Sequence, residues 1–385
     1  MLGKKPRQIA LQSLLRSQQT HRAVEPILSR EFRSATLSPA DTGLCRELVS
    51  GCVRWRRLLD WLIERTTEGR EQKPAVREIL RLGLYQIFFL SRIPEHAIVD
   101  ESVRLAKAEK CLGQAGFINA MMRRFLRERE QITRDIADLQ DARPALGQSH
   151  PDWLYEQWEQ RWGREKTVRL MEWNNQPAPT CARVNRLLTD PQRLAKRWED
   201  EGVEASPIDC DCAATGDLFR LRKHPPLESL GSFRDGLFYV QDPSTLLSVS
   251  LLDPQPGQAV LDLCAAPGSK TTQAMVAMRG GGMVVANEPN SRRANMLGSN
   301  TNRIGLANLV ICRHDGRHFP RVSEPGFDVV IADVPCTGSA TMRKNGGLWN
   351  RWKPSSASGL QRLQIDIAER GARLLRPGGR MVYST

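Results

Sequence analysis

The stretch that decides the fold is LDLCAAPGSK, residues 261–270. A predicted strand covers Ala259–Leu263, and small residues follow it until a predicted helix begins at Lys270. Small side chains let a ligand approach the backbone, and a helix N-terminus offers unpaired N–H donors. In a doubly wound sheet, ligands bind at this carboxyl end of the strands. The stretch therefore predicts a ligand site in an α/β domain.

The rest of residues 241–385 alternates between strand and helix, which is typical of a parallel sheet. Further strands are predicted at Met283–Asn287, Leu309–Cys312, Asp328–Ala332 and Arg380–Ser384, and helices at Lys270–Met278, Ser291–Arg303 and Leu360–Leu375. Residues 241–385 are therefore expected to form one Rossmann-like α/β domain.

The preceding residues have a different character. Residues 1–140 carry apolar residues at helical spacing after Ser38-Pro39, Pro74 and Pro94, which predicts an all-helical domain. Residues 141–240 are punctuated by prolines and predict a small α+β connector, with strands near Thr180–Val184 and Leu218–Leu221.

The composition limits the kinds of partner that the protein is expected to bind. The 385 residues contain 56 Lys and Arg against 43 Asp and Glu, a net charge of +13. Such an excess favours a polyanion, most often nucleic acid, although a basic protein without that role is the alternative. The longest apolar run, Leu82–Leu90, is far shorter than the ~20 residues of a membrane span and predicts a buried helix.

Cysteine usage indicates a reducing compartment. The chain has nine cysteines, an odd number, and they are scattered without a regular spacing. Free thiols are therefore expected. The Cys210-x-Cys212 pair lacks a second pair or a nearby histidine, and no metal site is predicted.

Acidic residues follow two of the predicted strands. Glu288 lies at the tip of the second strand, where a carboxylate can accept hydrogen bonds from ribose hydroxyls, and Asp315 follows the third. The loop at 264–270 has neither GxGxxG nor GxxxxGK[ST]. These features together favour an adenosine-type cofactor without a phosphate chain.

A second candidate site follows the fourth strand. The sequence DVVIADVPC, residues 328–336, brings an acid, a proline and a thiol to the same sheet edge. Asp333 can hydrogen-bond a base edge, and Cys336 is a candidate nucleophile or acid–base group. A small buried cysteine is the alternative interpretation of Cys336.

Several motifs resemble one family, the RNA (cytosine-5) methyltransferases of the Sun/Fmu (RsmB-like) family. The motifs are CAAPGSK at 264–270, DVPC at 333–336, TMRKN at 341–345, GGRMVYST at 378–385, QDPST at 241–245 and Arg183-Val184-Asn185. Residues 1–130 are similar to the NusB-like RNA-binding domain of the bacterial ribosomal RNA branch. The residues of the TMRKN and MVYST motifs are more similar to those of the tRNA-type branch. The RNA substrate therefore stays open between ribosomal RNA and tRNA.

The resemblance implies a domain order and a set of site residues. Residues 1–140 would be the NusB-like RNA-binding domain, 141–240 the connector and 241–385 the S-adenosylmethionine-dependent methyltransferase domain. The expected reaction is cytosine C5 methylation of RNA, with 16S ribosomal RNA in the cytoplasm as the first candidate and a monomeric enzyme. Catalysis is assigned to Asp333 and Cys336, and cofactor binding to Cys264, Ala265, Ala266, Pro267, Gly268, Ser269, Lys270, Glu288, Asp315 and Asp333.

One departure from the family bears on activity. The family's nucleophilic cysteine directly follows Tyr383-Ser384-Thr385, and this sequence ends at Thr385. We therefore expect a methyltransferase domain that is incomplete at its C-terminus, lacks the nucleophile and turns over poorly, with Cys336 matching the cysteine that assists product release. A competing hypothesis makes Cys336 itself the nucleophile, as in DNA cytosine-5 methyltransferases. An RNA-binding protein with an inactive methyltransferase half, and a methyltransferase of small molecules or proteins, are the remaining alternatives.

Overall fold

The computed structural model describes residues 5–109, 111–211, 216–321, 326–345, 347 and 352–385. The chain divides into two compact units. The helical unit comprises Met1–Ala178 and Gly338–Pro354, and the sheet unit comprises Pro179–Thr337 and Ser355–Thr385. The predicted domain boundaries near residues 140 and 240 stay a prediction.

The helical unit confirms the all-α expectation for its part of the chain. Ser38 caps the third helix, where its side chain accepts a hydrogen bond from the Asp41 amide, and prolines occupy the first turns of several others. The helices are α1 (Pro6–Thr20), α2 (Val24–Ser34), α3 (Pro39–Arg54), α4 (Arg56–Thr66), α5 (Pro74–Phe89), α6 (Glu95–Ala108), α7 (Ala115–Arg127), α8 (Arg129–Ala142), α9 (Pro144–Gly147), α10 (Asp152–Trp162) and α11 (Arg164–Asn175).

Helix α5 forms the centre of this unit. The apolar run predicted to be a buried helix lies at its end, and Leu82, Leu84 and Ile87 pack in the main core. Apolar side chains bury here because their transfer out of water is favourable. No helix in the described part of the chain is both long and apolar enough to cross a membrane.

The sheet unit begins with a four-stranded antiparallel sheet in the order β2-β3-β1-β4. The strands are β1 (Thr180–Val184), β2 (Glu204–Pro207), β3 (Leu218–Lys223) and β4 (Phe238–Val240), with helices α12 (Pro191–Asp200) and α13 (Gly231–Arg234). Strands β1 and β3 confirm the prediction. The short β2 and β4 were not predicted, because three or four residues carry too little alternation to show a strand.

A five-stranded parallel sheet follows, in the order β7-β6-β5-β8-β9. It confirms the Rossmann-like expectation. Its elements are α14 (Leu247–Leu252), β5 (Ala259–Asp262), α15 (Ser269–Ala277), β6 (Met283–Asn287), α16 (Ser291–Ile304), β7 (Leu309–Cys312), β8 (Phe327–Asp333), α17 (Ser358–Leu374) and β9 (Leu375–Ser384). Because all five strands run parallel, the residues that follow β5, β6, β7 and β8 emerge at one edge of the sheet.

The cysteines depart from expectation at one position. Cys45, Cys52, Cys111, Cys181, Cys264, Cys312 and Cys336 are free thiols, as predicted. Cys210 instead forms a disulfide, so the expectation of free thiols is wrong there. Cys212, the other half of the predicted pair, lies outside the described residues.

Candidate active site

The loop between β5 and α15, which we call the glycine loop, requires a glycine at its last position. Gly268 has φ 108°, in the left-handed region that favours glycine. A Cβ atom there would lie 2.9 Å from Leu297 Cδ1, so the loop packs closely on α16. The Pro267 carbonyl accepts hydrogen bonds from Tyr239 at 3.1 Å and from Asn300 at 2.8 Å. These contacts fix the backbone of the loop in front of the first turn of α15.

Two buried titratable groups flank this loop. Burial raises the pKa of the Asp262 carboxyl to about 6. Its Oδ2 accepts a hydrogen bond from Thr271 at 2.7 Å, whereas Oδ1 is buried and has no hydrogen-bond partner among the described residues. Burial also raises the pKa of the Cys264 thiol to about 12, so this side chain is not a thiolate at neutral pH. The site thus contains a buried acceptor that sequence reasoning did not single out, although an acid ending an apolar strand was a usable signal.

The raised pKa of Asp262 makes stability depend on pH. The folded chain holds this proton more tightly than the unfolded chain, because the pKa is about 6 instead of the ordinary 3.8. The stabilising effect is complete below about pH 4 and is lost as pH rises through about 6. We expect the contribution of Asp262 to the free energy of unfolding, which is the difference between wild type and Asp262→Asn, to fall by about 3 kcal/mol over this range. Burial lowers the pKa of His150 to about 4, which acts in the opposite direction in both proteins. Urea unfolding of wild type and Asp262→Asn at a series of pH values measures it, and identical pH profiles would contradict the prediction.

Glu288 lies at the carboxyl end of β6 and is 2% exposed. Its Oε2 pairs with Arg293 Nη1 at 3.0 Å, and its Oε1 accepts from the Asn290 amide at 3.0 Å. The same arginine donates from Nη2 to the Ala266 carbonyl at 2.7 Å. Arg293 therefore ties the predicted ribose acceptor to the glycine loop, a role that the sequence alone did not show.

Asn287 aligns the neighbouring strand ends. Its side-chain amide donates to the Leu263 and His314 carbonyls, each at 3.0 Å, and its Oδ1 accepts from the His314 amide. This places Asp315 at the same edge as the glycine loop. Asp315 itself is half-exposed, and hydrogen bonds from Arg317 lower the pKa of its carboxyl to about 2. It is therefore an ionised acceptor at any physiological pH.

Asp333 is held from two sides at the end of β8. Its Oδ2 lies 2.8 Å from Nζ of the buried Lys270, on the first turn of α15. Its Oδ1 accepts a hydrogen bond from Ser384 on β9 at 2.7 Å. The structure thereby joins the glycine loop, Asp333 and the end of β9. The sequence predicted Lys270 as a site residue, but it did not predict that Lys270 or Ser384 would be a partner of Asp333.

Cys336 follows Asp333 by three residues and is exposed. The Val334 amide donates to the Ser384 carbonyl at 3.0 Å, and the Pro335 carbonyl accepts from Gln364 on α17 at 2.8 Å. The turn that carries Cys336 is thus fixed against β9 and α17. An exposed thiol is open to a substrate, which favours a chemical role over a small buried hydrophobe.

The antiparallel sheet supports the back of α15. Arg183 on β1 is buried, donates to Thr272 Oγ1 at 2.8 Å and lies over the Tyr239 ring at 5.8 Å. Burial lowers the pKa of this guanidinium to about 10. Gln241 donates to Gln273 at 3.2 Å. The Arg183-Val184-Asn185 and QDPST segments therefore contact α15, through Arg183 and Gln241 respectively.

Three family profiles match the chain in order. The NusB family matches residues 4–127, the RsmF/B-like ferredoxin-like domain matches residues 150–215, and the 16S rRNA methyltransferase RsmB/F profile matches residues 249–385. The last match contains the glycine loop, Glu288, Asp315, Asp333 and Cys336.

Curated relatives extend the similarity over nearly the whole chain. The probable ribosomal RNA small subunit methyltransferase B of Synechocystis sp. is 33% identical over 93% of this chain and 80% of its own length. The chain belongs to the ribosomal RNA small subunit methyltransferase B family. A second member of that family, the probable enzyme of Bacillus subtilis, is 30% identical over 98% of this chain and 84% of its own length. Membership confirms the resemblance to the RsmB-like family and makes the protein an RNA methyltransferase.

Solved structures agree with this assignment. A methyltransferase homolog protein from Pyrococcus horikoshii is 30% identical with a TM-score of 0.53, over 62% of this chain and 74% of that chain. The crystal structure of PH0851 covers 99% of this chain and 86% of its own with a TM-score of 0.76, at 22% identity, and shows the shared fold.

Proposed function

We propose that this protein methylates C5 of a cytosine in 16S ribosomal RNA, with S-adenosylmethionine as methyl donor, in the bacterial cytoplasm. The observation that carries the proposal is the Lys270–Asp333 ion pair of 2.8 Å, which unites the glycine loop with the turn that carries Cys336. A cofactor-binding loop and a base-holding carboxylate at one sheet edge are what transfer of a methyl group to a base requires.

The residues at the glycine loop fit the proposed cofactor. Asp262 Oδ1 is a buried acceptor without a hydrogen-bond partner in the described chain, which suits a cationic amino group. Glu288 and Asp315 are carboxylates that suit the hydroxyls of a ribose and the edge of a base, and residues 264–270 supply the small loop around them. The bound cofactor supplies an electrophilic methyl group on a sulfonium.

Asp333 is proposed to hold the target base. Its carboxylate can accept a hydrogen bond from the N4 amino group of cytosine, and from N3 once N3 is protonated, and its exposed fraction of 39% leaves it open to a ligand. Lys270 and Ser384 fix the two oxygens, so the carboxylate is oriented before the base arrives. To reach Asp333 the base must leave any stack, which agrees with recognition of unpaired RNA.

The proposed chemistry uses a cysteine because C5 of cytosine is a poor nucleophile. A thiolate that adds to C6, with a proton taken up at N3, converts the ring to an enamine. C5 of this enamine can attack the methyl group, and the donor sulfur leaves as a neutral thioether. A base then removes the C5 proton, the C6–S bond breaks and the thiolate leaves. Cys336 is the exposed thiol at this edge and acts either as this nucleophile or in release of the product. In the pairing of β8 with β9, Asp333 lies opposite Ser384. Tyr383-Ser384-Thr385, which the family's nucleophilic cysteine follows, therefore lies beside the same carboxylate.

Incubation with 5-fluorocytosine RNA and S-adenosylmethionine tests the role of Cys336. Fluorine at C5 cannot be removed as a cation, so a covalent adduct accumulates and is visible by denaturing electrophoresis. Loss of the adduct in Cys336→Ala would make Cys336 the nucleophile, whereas persistence would show that another thiol of this chain forms the adduct. Cys312→Ala, which changes a free thiol outside this turn, is the matched control. The absence of any adduct would count against covalent catalysis by the residues of this chain.

A tRNA substrate is the second candidate, because the residues of the TMRKN and MVYST motifs are more similar to those of the tRNA-type branch. The two substrates separate in a competition assay, in which transcripts of 16S ribosomal RNA and of tRNA compete for methyl transfer at fixed salt. The ribosomal RNA names of the relatives favour the first. The monomeric state stays a prediction.

A further inference from the structure

Helix α11 carries a tryptophan on the surface of the helical unit. Among the described tryptophans, Trp162 and Trp173 are the exposed ones, and Trp173 is 53% exposed. A single apolar side chain on a protein surface needs no explanation by itself. The neighbours of Trp173 therefore decide whether it marks a binding surface.

Two cations precede Trp173 on the same face of α11. Arg169 lies one turn before it and Lys166 lies two turns before it, about 10 Å along the helix axis. Both side chains are exposed, and neither forms an ion pair with a residue that the structure describes. This face of α11 thus presents two cations without an ion-pair partner beside an exposed aromatic ring.

These three side chains line one shallow groove of about 600 Å³. Leu170 and Gln176 also line it, and Glu172 supplies the acid of the lining. Gln176 is exposed, and its side-chain amide can donate hydrogen bonds to a polar ligand or accept them from it. With two cations against one carboxylate, the groove has a net positive charge.

Arg343 fixes one side of the Trp173 ring. Its guanidinium lies 3.9 Å from the ring centroid and donates to the Pro177 carbonyl at 2.8 Å. Its own carbonyl accepts a hydrogen bond from the buried Arg54 at 2.9 Å. All of these residues belong to the helical unit. The stacked cation holds the ring in place, and the exposed half of the tryptophan stays open to a ligand.

We propose that this face of α11, from Lys166 to Gln176, binds an unpaired stretch of the RNA substrate. A base stacks on the open side of Trp173, and phosphates beside that base contact Lys166 and Arg169. The inference rests on the RNA substrate of the proposed function and names a surface that binds it. The surface lies outside residues 4–127, which match the NusB family.

The chemistry of the face selects an unpaired RNA strand over other partners. A single strand carries base faces and phosphates side by side, and any of its bases can stack on an aromatic ring. In duplex RNA the bases are stacked inside the helix and cannot lie on the ring. A protein that covered Trp173 would have to take Lys166 and Arg169 out of water, which is costly for charged groups.

Fluorescence anisotropy with the full chain measures the stacking contact. The probe is a fluorescein-labelled oligocytidylate of about twelve nucleotides, and no S-adenosylmethionine is added. In Trp173→Ala, the dissociation constant is expected to rise about tenfold, because one stack of a base on an aromatic ring is lost. Trp173→Phe keeps an aromatic ring, so its affinity should lie between the two. Trp162→Ala, which removes the other exposed tryptophan, is the matched control and should bind as wild type does.

Salt dependence measures the phosphate contacts. In the double variant Lys166→Gln with Arg169→Gln, the slope of log Kd against log salt concentration is expected to fall by about 1.4, because each phosphate contact of a single strand contributes about 0.7. Both side chains are exposed, so the double variant keeps the fold. Arg193→Gln with Lys223→Gln changes two acid-paired cations of the sheet unit and should leave the slope unchanged. Glu172→Gln removes the negative charge of the groove and should tighten binding about twofold.

Each outcome decides for or against the surface. Wild-type affinity in Trp173→Ala, a wild-type salt slope in the double variant, or a wild-type chain that does not bind the probe would overturn the proposal. Equal weakening of a duplex probe by Trp173→Ala would overturn the stacking of an unpaired base. Self-association that depends on Trp173, seen by analytical ultracentrifugation without RNA, would assign the face to a second copy instead.

The outcomes also separate this inference from the proposed function, because methyl transfer is not part of the binding measurement. A wild-type chain that binds the probe as predicted but transfers no methyl group to RNA would refute the proposed function and leave this surface in place. A chain that methylates RNA while Trp173→Ala binds the probe as wild type does would refute the surface alone.

Discussion

Replacement of Asp333 by Asn is expected to lower formation of 5-methylcytidine in RNA by about a thousandfold. Asparagine keeps the size of the side chain and a hydrogen-bond acceptor for Ser384, but it removes the negative charge that Lys270 faces at 2.8 Å. The ionised carboxylate can then no longer hold the base edge against the cofactor loop. Mass spectrometry of nucleosides from 16S ribosomal RNA, isolated from cells whose sole gene copy carries the substitution, measures the effect.

A matched control separates loss of chemistry from loss of folding. Asp235→Asn changes an exposed aspartate of the same unit, whose partner Arg197 is 3.9 Å away. It should leave methylation unchanged. A level of 5-methylcytidine in Asp333→Asn within twofold of the control would contradict the role of the carboxylate at this edge.

Replacement of Glu288 by Gln is expected to weaken S-adenosylmethionine binding by about 30-fold, because hydrogen bonds to a charged acceptor contribute about 2 kcal/mol. The substitution leaves Arg293 facing a neutral amide instead of a carboxylate 3.0 Å away. Since Arg293 also holds the Ala266 carbonyl, the glycine loop is expected to loosen as well. Isothermal titration calorimetry gives the dissociation constant, and cofactor-induced stabilisation gives an independent estimate.

Glu204→Gln is the control for this measurement. Glu204 lies on β2, is exposed and pairs only loosely with Lys223 at 3.4 Å. Equal affinities for wild type, Glu288→Gln and Glu204→Gln would remove Glu288 from the cofactor site. If wild type itself shows no stabilisation by the cofactor, the alternative of an RNA-binding protein with an inactive methyltransferase half gains support.

The acids at the strand tips were visible in the sequence because their environment is local. Glu288 directly follows one apolar strand and Asp333 ends another, and parallel strands bring such ends to one edge. Their partners depend on tertiary packing. Lys270 and Asp333 are far apart in sequence, as are Asp333 and Ser384, and no local pattern records which side chains meet.

The TMRKN segment at 341–345 shows the same limit more sharply. A sequence with Arg343 and Lys344 in an otherwise polar loop predicts a solvated or phosphate-binding turn. In the structure, Arg343 finds Trp173 and Pro177 on a segment more than a hundred and sixty residues away. Met342 is buried against Leu154, Trp153 and Trp158 of α10 and against Trp352. Such contacts follow from the assembled helices and not from the loop's composition.

The measurement that tests the central claim most directly is bisulfite sequencing of 16S ribosomal RNA from cells of the source organism. The gene is deleted and then restored either as wild type or as Asp333→Asn. We predict that one cytosine loses its protection in the deletion strain, regains it with wild type and stays unprotected with Asp333→Asn. Unchanged protection of every cytosine of 16S ribosomal RNA in the deletion strain would contradict the account.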